Sequence, residues 1–408
     1  MIGLLDIIGQ DEAIAQLQQA MNGKRMPHAL LLVGPDGVGR RTTAEALAAT
    51  LLCERPVTVR NETARKGRQK DQPGRPASPR GADRFQQLPE GFPLKQACGT
   101  CVDCKMVAAG THGDFHLVYK ELAQYHEDPK VRERVMQDLS IDVIRRFLIA
   151  PAGRASSRGR GKVFIVLEAD LMSDAAQNAL LKTLEEPPPG VTIILVAERP
   201  EQLLPTTLSR CRMVRFGLLP QAFVKEELLE RPLPAEQARF WASFTEGSVG
   251  RAIALAEAGM YPVKRELLDR LAGLGEGGDA ELSELLSDTT EALADDAVKA
   301  SRKADGTEMA RTLATRQATG AMLELIASAF LDAMHLRCGL ASGESGLIHA
   351  DQAQAVKALA QRFSPEQLAE IIQQLSHYEQ LLWRNVNPKI VWDNVVITCA
   401  SAAPVGMY

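Results

Sequence analysis

Three cysteines stand two residues apart in Cys98-Gly99-Thr100-Cys101-Val102-Asp103-Cys104. Gaps of that size let a short loop wrap its thiolates round one cation, and a tetrahedral structural zinc then needs a fourth ligand. Cys53 is the leading candidate, with His112 and His116 as alternatives. On ligand type alone, an iron–sulfur cluster is the rival. A closed four-thiolate zinc site has no open position for catalysis, so its role would be structural, tying together the ends of a long insertion.

A second constellation is Gly34-Pro35-Asp36-Gly37-Val38-Gly39-Arg40-Arg41-Thr42. Glycines at 34, 37 and 39 let backbone N–H groups converge on phosphate oxygens, and the helix that follows adds its positive end. A working phosphate loop also needs Lys for the β- and γ-phosphates and Ser or Thr for Mg²⁺. Arg40 occupies the Lys position and Arg41 the hydroxyl position. Thr42 comes one residue late, which turns it by about 100° round a helix of ~3.6 residues per turn. The partner of such a loop is an apolar strand ending in carboxylates. Here that strand ends Val166-Leu167-Glu168, with leucine at the first carboxylate position. Glu168 could still polarise a water, but the metal anchor is missing. Both defects predict lost Mg²⁺-assisted phosphoryl transfer and leave open whether ATP binds.

These groups need elements to position them. Periodicity predicts a helix over Asp11–Met21, a buried strand at Ala29–Val33 and a helix over Thr42–Leu52. Further signals predict a helix over Asp142–Ile149, a strand at Lys162–Leu167, a helix over Asp174–Glu186 ended by three prolines, and a strand at Val191–Val196. Alternating short apolar strands and helices predict a parallel sheet covered on both faces. Residues 55–95 are rich in Arg, Lys, Pro, Gly and Gln and read as a flexible basic insertion. Past Phe216 strand signals vanish. Gln221–Glu257 reads helical, 273–307 reads as a linker-rich segment, and the rest of the chain reads as helices.

With 408 residues, 45% of them hydrophobic, the chain can build two or three domains. A formal net charge of −4 gives no global drive toward nucleic acid. No signal peptide or apolar run long enough for a membrane span is evident. Seven cysteines, four of them in a metal-like pattern, fit a reducing cytoplasm better than a disulfide framework.

Ile8-Gly9-Gln10, the loop at Gly34–Thr42, and Cys53 followed by the three close cysteines come in an order that resembles the AAA+ subunits of bacterial DNA polymerase III clamp loaders. Asn178-Ala179-Leu180-Leu181-Lys182-Thr183-Leu184-Glu185-Glu186-Pro187-Pro188 and Leu208-Ser209-Arg210-Cys211 extend that resemblance across the first half of the chain. The decayed loop and strand end resemble the delta-prime group more than the gamma/tau motor group. The resemblance implies an AAA+ α/β module with an inserted zinc module over 1–217, a helical lid over 218–272 and a helical oligomerisation collar over 308–408. It implies that Arg210 projects into the nucleotide site of a neighbouring motor subunit, and that Arg251 in Gly247-Ser248-Val249-Gly250-Arg251 stands at the second sensor. It further implies gamma/tau-type and delta-type partners, with the sliding clamp and primer-template DNA reached through the complex. Two other functions fit parts of the sequence: an ATP-hydrolysing motor subunit using Glu168, and a zinc-dependent DNA-binding module using the basic insertion.

Overall fold

The computed structural model describes residues 2–23, 26–61, 84–132, 138–275, 280–305, 311–340, 346–382 and 386–401. The chain divides into two compact units, Met1–Phe223 with Gly247–Gly250, and Val224–Glu246 with Arg251–Tyr408.

In the first unit, strands β1 (Ala29–Val33), β4 (Phe115–Val118), β5 (Lys162–Val166), β6 (Val191–Ala197) and β7 (Arg212–Arg215) form one sheet in the order β4-β5-β6-β1-β7. Every pairing in it is parallel. The central strands are apolar except for Lys162 and Thr192, because successive side chains enter opposite cores. Leu30, Leu32, Ile165, Ile194 and Val196 pack on one face with Ile14 and Leu17 of α1 (Asp11–Asn22) and Leu47 of α2 (Arg40–Leu52). Leu31, Val33, Phe164, Val166, Ile193 and Leu195 pack on the other with Val143, Leu148, Leu180 and Leu184. The latter two lie on the helix Asp174–Glu185, which Ser173 caps through its hydroxyl. The expected parallel sheet with helices on both faces is therefore present.

The helical run from Ile141 to Ala152 passes through a wider π turn at Arg145–Ile149. The segment read as a flexible insertion holds order at both ends, a correction to the sequence reading. Strands β2 (Val57–Arg60) and β3 (Pro93–Gln96) pair antiparallel, while residues 62–83 lie outside the described residues. All four β2 residues are exposed, so no hydrophobic alternation marked the strand. Polar side chains fix this ladder instead. Gln18 bonds both the N–H and the C=O of Lys95, at 2.8 and 2.7 Å, and the Asn61 amide reaches the carbonyls of Phe85, Leu88 and Pro89.

The second unit is helical. A second correction falls at 273–307, expected as a linker: the helix Ala280–Asp305 fills most of it. Its Gly, Asp, Glu and Ser content hid a buried stripe, Leu282, Leu286, Thr290 and Ala294, spaced by one helical turn. Residues expected as separate lid and collar domains share this unit. Tyr261 and Lys264, on the helix Met260–Gly273, both bond Asp351, and Gln352 donates to Arg265 O at 2.9 Å and Asp269 Oδ1 at 2.8 Å. No helix among the described residues is long and apolar enough to cross a membrane.

Candidate metal centre and degenerate phosphate loop

Cys53 is the residue at which α2 ends, and Cys101 caps the N-terminus of α3 (Val102–Ala108), which carries Cys104 on its first turn. A tight turn with Gly99 at φ 71° brings Cys98 back to the same point. The four Sγ atoms lie within 4.8 Å of one another. Cys53 and Cys101 are 3.8 Å apart, and Cys98 and Cys104 3.9 Å. A tetrahedral ion with Zn–S bonds of ~2.3 Å requires S···S edges of about 3.8 Å. The cluster therefore fits one such ion, whereas an iron–sulfur cluster would spread thiolates over separate irons. Backbone N–H groups of Cys98, Cys101 and Cys104 donate to the sulfurs of Cys53, Cys98 and Cys101, each at 3.4 Å. Such bonds favour thiolate. The Thr100 and Cys101 backbone N–H groups hold the Cys98 thiol down to about 6, while burial pushes Cys53 and Cys104 up.

Neither histidine alternative joins the cluster. His116 stacks on Phe164 with ring centroids 4.6 Å apart. His112 accepts from the Asp114 N–H through Nδ1 and lies 3.4 Å from the Asp103 carboxylate through Nε2.

The glycine loop leaves the carboxyl end of β1 and enters α2, as its spacing predicts. Gly37 and Gly39 have φ of 72° and 98°. At Gly34 a Cβ would meet the Phe216 carbonyl oxygen at 2.4 Å, so glycine is demanded by close packing against the residue after β7. Both cations of the loop have protein carboxylates as partners. Buried Arg40 faces Asp36 at 3.4 Å, and Arg41 donates to Glu45 at 2.8 Å. Thr42 is the third residue of α2. Ser248 Oγ donates to Asp36 O and the Gly250 N–H to Gly37 O, both at 2.8 Å, so the segment 247–250 is laid against the loop.

At the end of β5, Glu168 takes a left-handed backbone, φ 48°, and pairs with Lys120 Nζ at 2.7 Å. Lys120 was not singled out by sequence reasoning, nor was β4, which ends two residues before it. A third anchor, Asp170, accepts the N–H groups of Glu198 and Arg199 at 3.3 and 3.2 Å. That fixes the turn after β6.

Arg210 follows the short helix Pro205–Leu208 and is partly exposed. Its Nε donates to Glu185 at 2.7 Å and its Nη1 to Thr206 O at 2.7 Å. Arg251 is in the second unit, ion-paired with Glu324 and set over the Phe244 ring.

Residues 9–74 and 87–219 match the family described as DNA polymerase III, delta subunit, and residues 290–399 match its C-terminal family. The DNA polymerase III subunit delta' of Pseudomonas aeruginosa is 32% identical over 211 residues, 52% of this chain and 49% of that protein. The Escherichia coli subunit delta' is 31% identical over 194 residues, 47% of this chain and 53% of its own length. The chain thus spans about half the length of these curated relatives. A Thermotoga maritima structure described as a DNA polymerase III gamma subunit-related protein aligns over 96% of this chain and 98% of its own. Its 16% identity and TM-score of 0.41 make a likeness too distant to carry function. On the two family matches, the chain belongs to the DNA polymerase III delta-subunit family, with delta-prime proteins among its relatives.

Proposed function

We propose that this chain is a delta-prime-type subunit of a DNA polymerase III clamp loader, one that does not itself hydrolyse ATP. The observation that carries this reading is the pairing of Glu168 with Lys120 beside Leu167. Phosphoryl transfer needs a carboxylate to hold Mg²⁺ and a free base or polar group to orient the nucleophile. Leucine cannot hold the ion, and Glu168 is neutralised by an ammonium. Arg40 and Arg41 have protein carboxylates as partners where the loop needs a phosphate-reaching Lys and a hydroxyl. A second reading, an autonomous gamma/tau-type motor, would need Glu168 released from Lys120 and a metal anchor from elsewhere.

The usefulness of the chain then lies in what it presents to neighbours. Arg210 would serve a gamma/tau-type motor subunit in trans, stabilising charge on the transferring phosphoryl group. Delta-type subunits, the sliding clamp and primer-template DNA would be the further members and targets of the assembly. Cys53, Cys98, Cys101 and Cys104 would hold zinc. That ion would supply cross-linking, not catalysis, since four thiolates fill its coordination.

The test is ATP hydrolysis by the pure chain beside the reconstituted assembly, with wild type and Arg210→Ala. The pure chain should show no Mg²⁺-dependent turnover. In the assembly, the site completed by Arg210 should slow by about 10³-fold or more on its removal. Undiminished assembly turnover removes the trans role, and Mg²⁺-dependent turnover by the pure chain that is lost in Glu168→Gln overturns the reading as a whole.

A further inference from the structure

A four-thiolate zinc centre carries a formal charge of −2, and burying such a surplus is unfavourable unless cations or hydrogen-bond donors stand close by. Here the surplus is larger, because Asp103 lies between two ligand positions and its side chain is 3% exposed. The cations come from outside the metal-binding segment. The loop between the helical run ending at Ala152 and β5 contains Ser156-Ser157-Arg158-Gly159-Arg160. Arg158 ion-pairs with Asp103. Arg160 Nη1 donates to the carbonyl of Cys53 at 3.2 Å. His112 Nε2 lies 3.4 Å from the same oxygen, Asp103 Oδ1.

The loop is held in register by Asp114, fully buried just before β4. Its carboxylate accepts the N–H groups of Ser157 and Arg158 at 2.8 and 3.0 Å, and the hydroxyls of Ser156 and Ser157 at 3.0 and 2.8 Å. Gly161, at φ 98°, lets the chain turn into β5 where a Cβ would strike the Gly190 carbonyl at 2.2 Å. The two arginines are therefore presented on a built platform, with four donors converging on one carboxylate.

We propose that Arg158 and Arg160 are positioning residues of the metal centre, a cationic outer shell that offsets the charge of the four thiolates and Asp103 and sets how tightly zinc is kept. Arg158 acts through Asp103, and Arg160 through the backbone of Cys53. Changes in such outer partners typically alter metal affinity by about 10- to 100-fold. With Arg158 42% exposed, its share belongs at the low end and weakens with salt. The inference rests on the reading of the cysteine cluster as a zinc site.

The experiment uses the full zinc-loaded chain and a chromogenic chelator, reading the release rate and the affinity, with the thiolate-to-cobalt charge-transfer band of the cobalt-substituted protein as a second signal. Arg158→Gln and Arg160→Gln should each weaken zinc retention by about tenfold. Arg158→Lys should stay near wild type, since it keeps the charge. Asp103→Asn combined with Arg158→Gln should recover most of the loss, because the carboxylate that needed Arg158 is gone. The Arg158→Gln deficit should shrink in high salt, which loss of a packing contact would not do. Should Arg158→Gln unfold the chain, Asp103→Asn alone decides: it should hold zinc at least as tightly as wild type. Wild-type retention in both Gln variants, with about one zinc per wild-type chain, overturns the outer shell and leaves the metal site standing. A wild-type chain without zinc overturns the metal site itself.

Discussion

Lys264→Met tests what joins the helices expected as lid to those expected as collar. Lys264 is 1% exposed, and its ammonium pairs with Asp351 while lying 4.3 Å from the centre of the Phe240 ring. Methionine fills nearly the same volume without charge, leaving the Asp351 carboxylate with the Tyr261 hydroxyl alone at 2.9 Å. Breaking a buried pair in this way costs about 3–5 kcal/mol. The carboxyl can escape by taking a proton, which caps its electrostatic part. For an unfolded Asp pKa of about 3.9, that cap is roughly 1.36 × (7 − 3.9), or about 4 kcal/mol at pH 7, and about 1.5 kcal/mol at pH 5. The sign follows from linkage. In the wild type, burial works to raise Asp351, but Lys264 and Tyr261 together hold it below the usual carboxylate range. Its contribution is thus present above the unfolded pKa and lost as pH falls through the folded one. In Lys264→Met the native carboxyl is the protonated one, so the deficit grows as pH rises. Two of the chain's three tryptophans, Trp241 and Trp392, lie in the second unit and are fully buried, while Trp383 is outside the described residues. Urea unfolding followed by tryptophan fluorescence therefore reports this unit. Lys264→Met should lose about 3–4 kcal/mol at pH 7 and markedly less at pH 5. Adding Asp351→Asn should restore stability to within about 1 kcal/mol of wild type, a coupling of about 2 kcal/mol or more. A single-mutant loss under about 1 kcal/mol at pH 7, or one that is flat from pH 5 to 7, refutes the buried-pair argument.

Metal analysis should find about one zinc per chain, and Cys104→Ser, which opens the tetrahedron on its buried side, should lose most of it. Gly34→Ala should destabilise the first unit by about 1–3 kcal/mol, measured by circular dichroism on urea titration, because its Cβ meets the Phe216 carbonyl. Glu185→Gln should free Arg210 from its ion pair and, in the reconstituted assembly, change ATP turnover. An Arg210 that already leaves Glu185 on assembly would show itself by no change at all.

The central sheet was legible because strands buried on both faces announce themselves as near-continuous apolar runs, as Ala29–Val33 and, with Thr192 as its one polar residue, Val191–Ala197 do. Edge strands were not. β4 is only four residues long and interrupted by His116, and β7 is two apolar residues, Met213 and Val214, flanked by Arg212 and Arg215, so neither gives an apolar run. The missed position of Lys120 followed from missing β4. The cysteine cluster was legible from the close spacing of Cys98, Cys101 and Cys104 and from Cys53 at the end of α2, and neither histidine lies in it. The arginines beside the cysteine cluster were not legible, since nothing in Ser-Ser-Arg-Gly-Arg marks it as a platform until Asp114, 42 residues before Ser156, is brought beneath it. Long-range polar pairing of that kind leaves no periodic trace.

Glu168 shows why a surviving catalytic residue type is weak evidence for catalysis. A carboxylate that activates water must be able to take a proton from it, and must be held where the water sits. Glu168 is partly exposed and pinned to Lys120, whose own side chain is only 7% exposed. The Lys120 ammonium, 2.7 Å from Oε1, occupies an oxygen that a water would have to meet. Reviving catalysis by substitution would need at least three coordinated changes: a metal-binding carboxylate at Leu167, a hydroxyl at Arg41 and a lysine at Arg40. Any one of them alone leaves the Mg²⁺ without a full set of protein anchors, so single revertants should remain silent. On the proposed reading, loss of hydrolysis is in this sense stable against drift. The ion pairs of Arg40 with Asp36 and of Lys120 with Glu168 engage two positions, 40 and 168, that catalysis would have to reclaim.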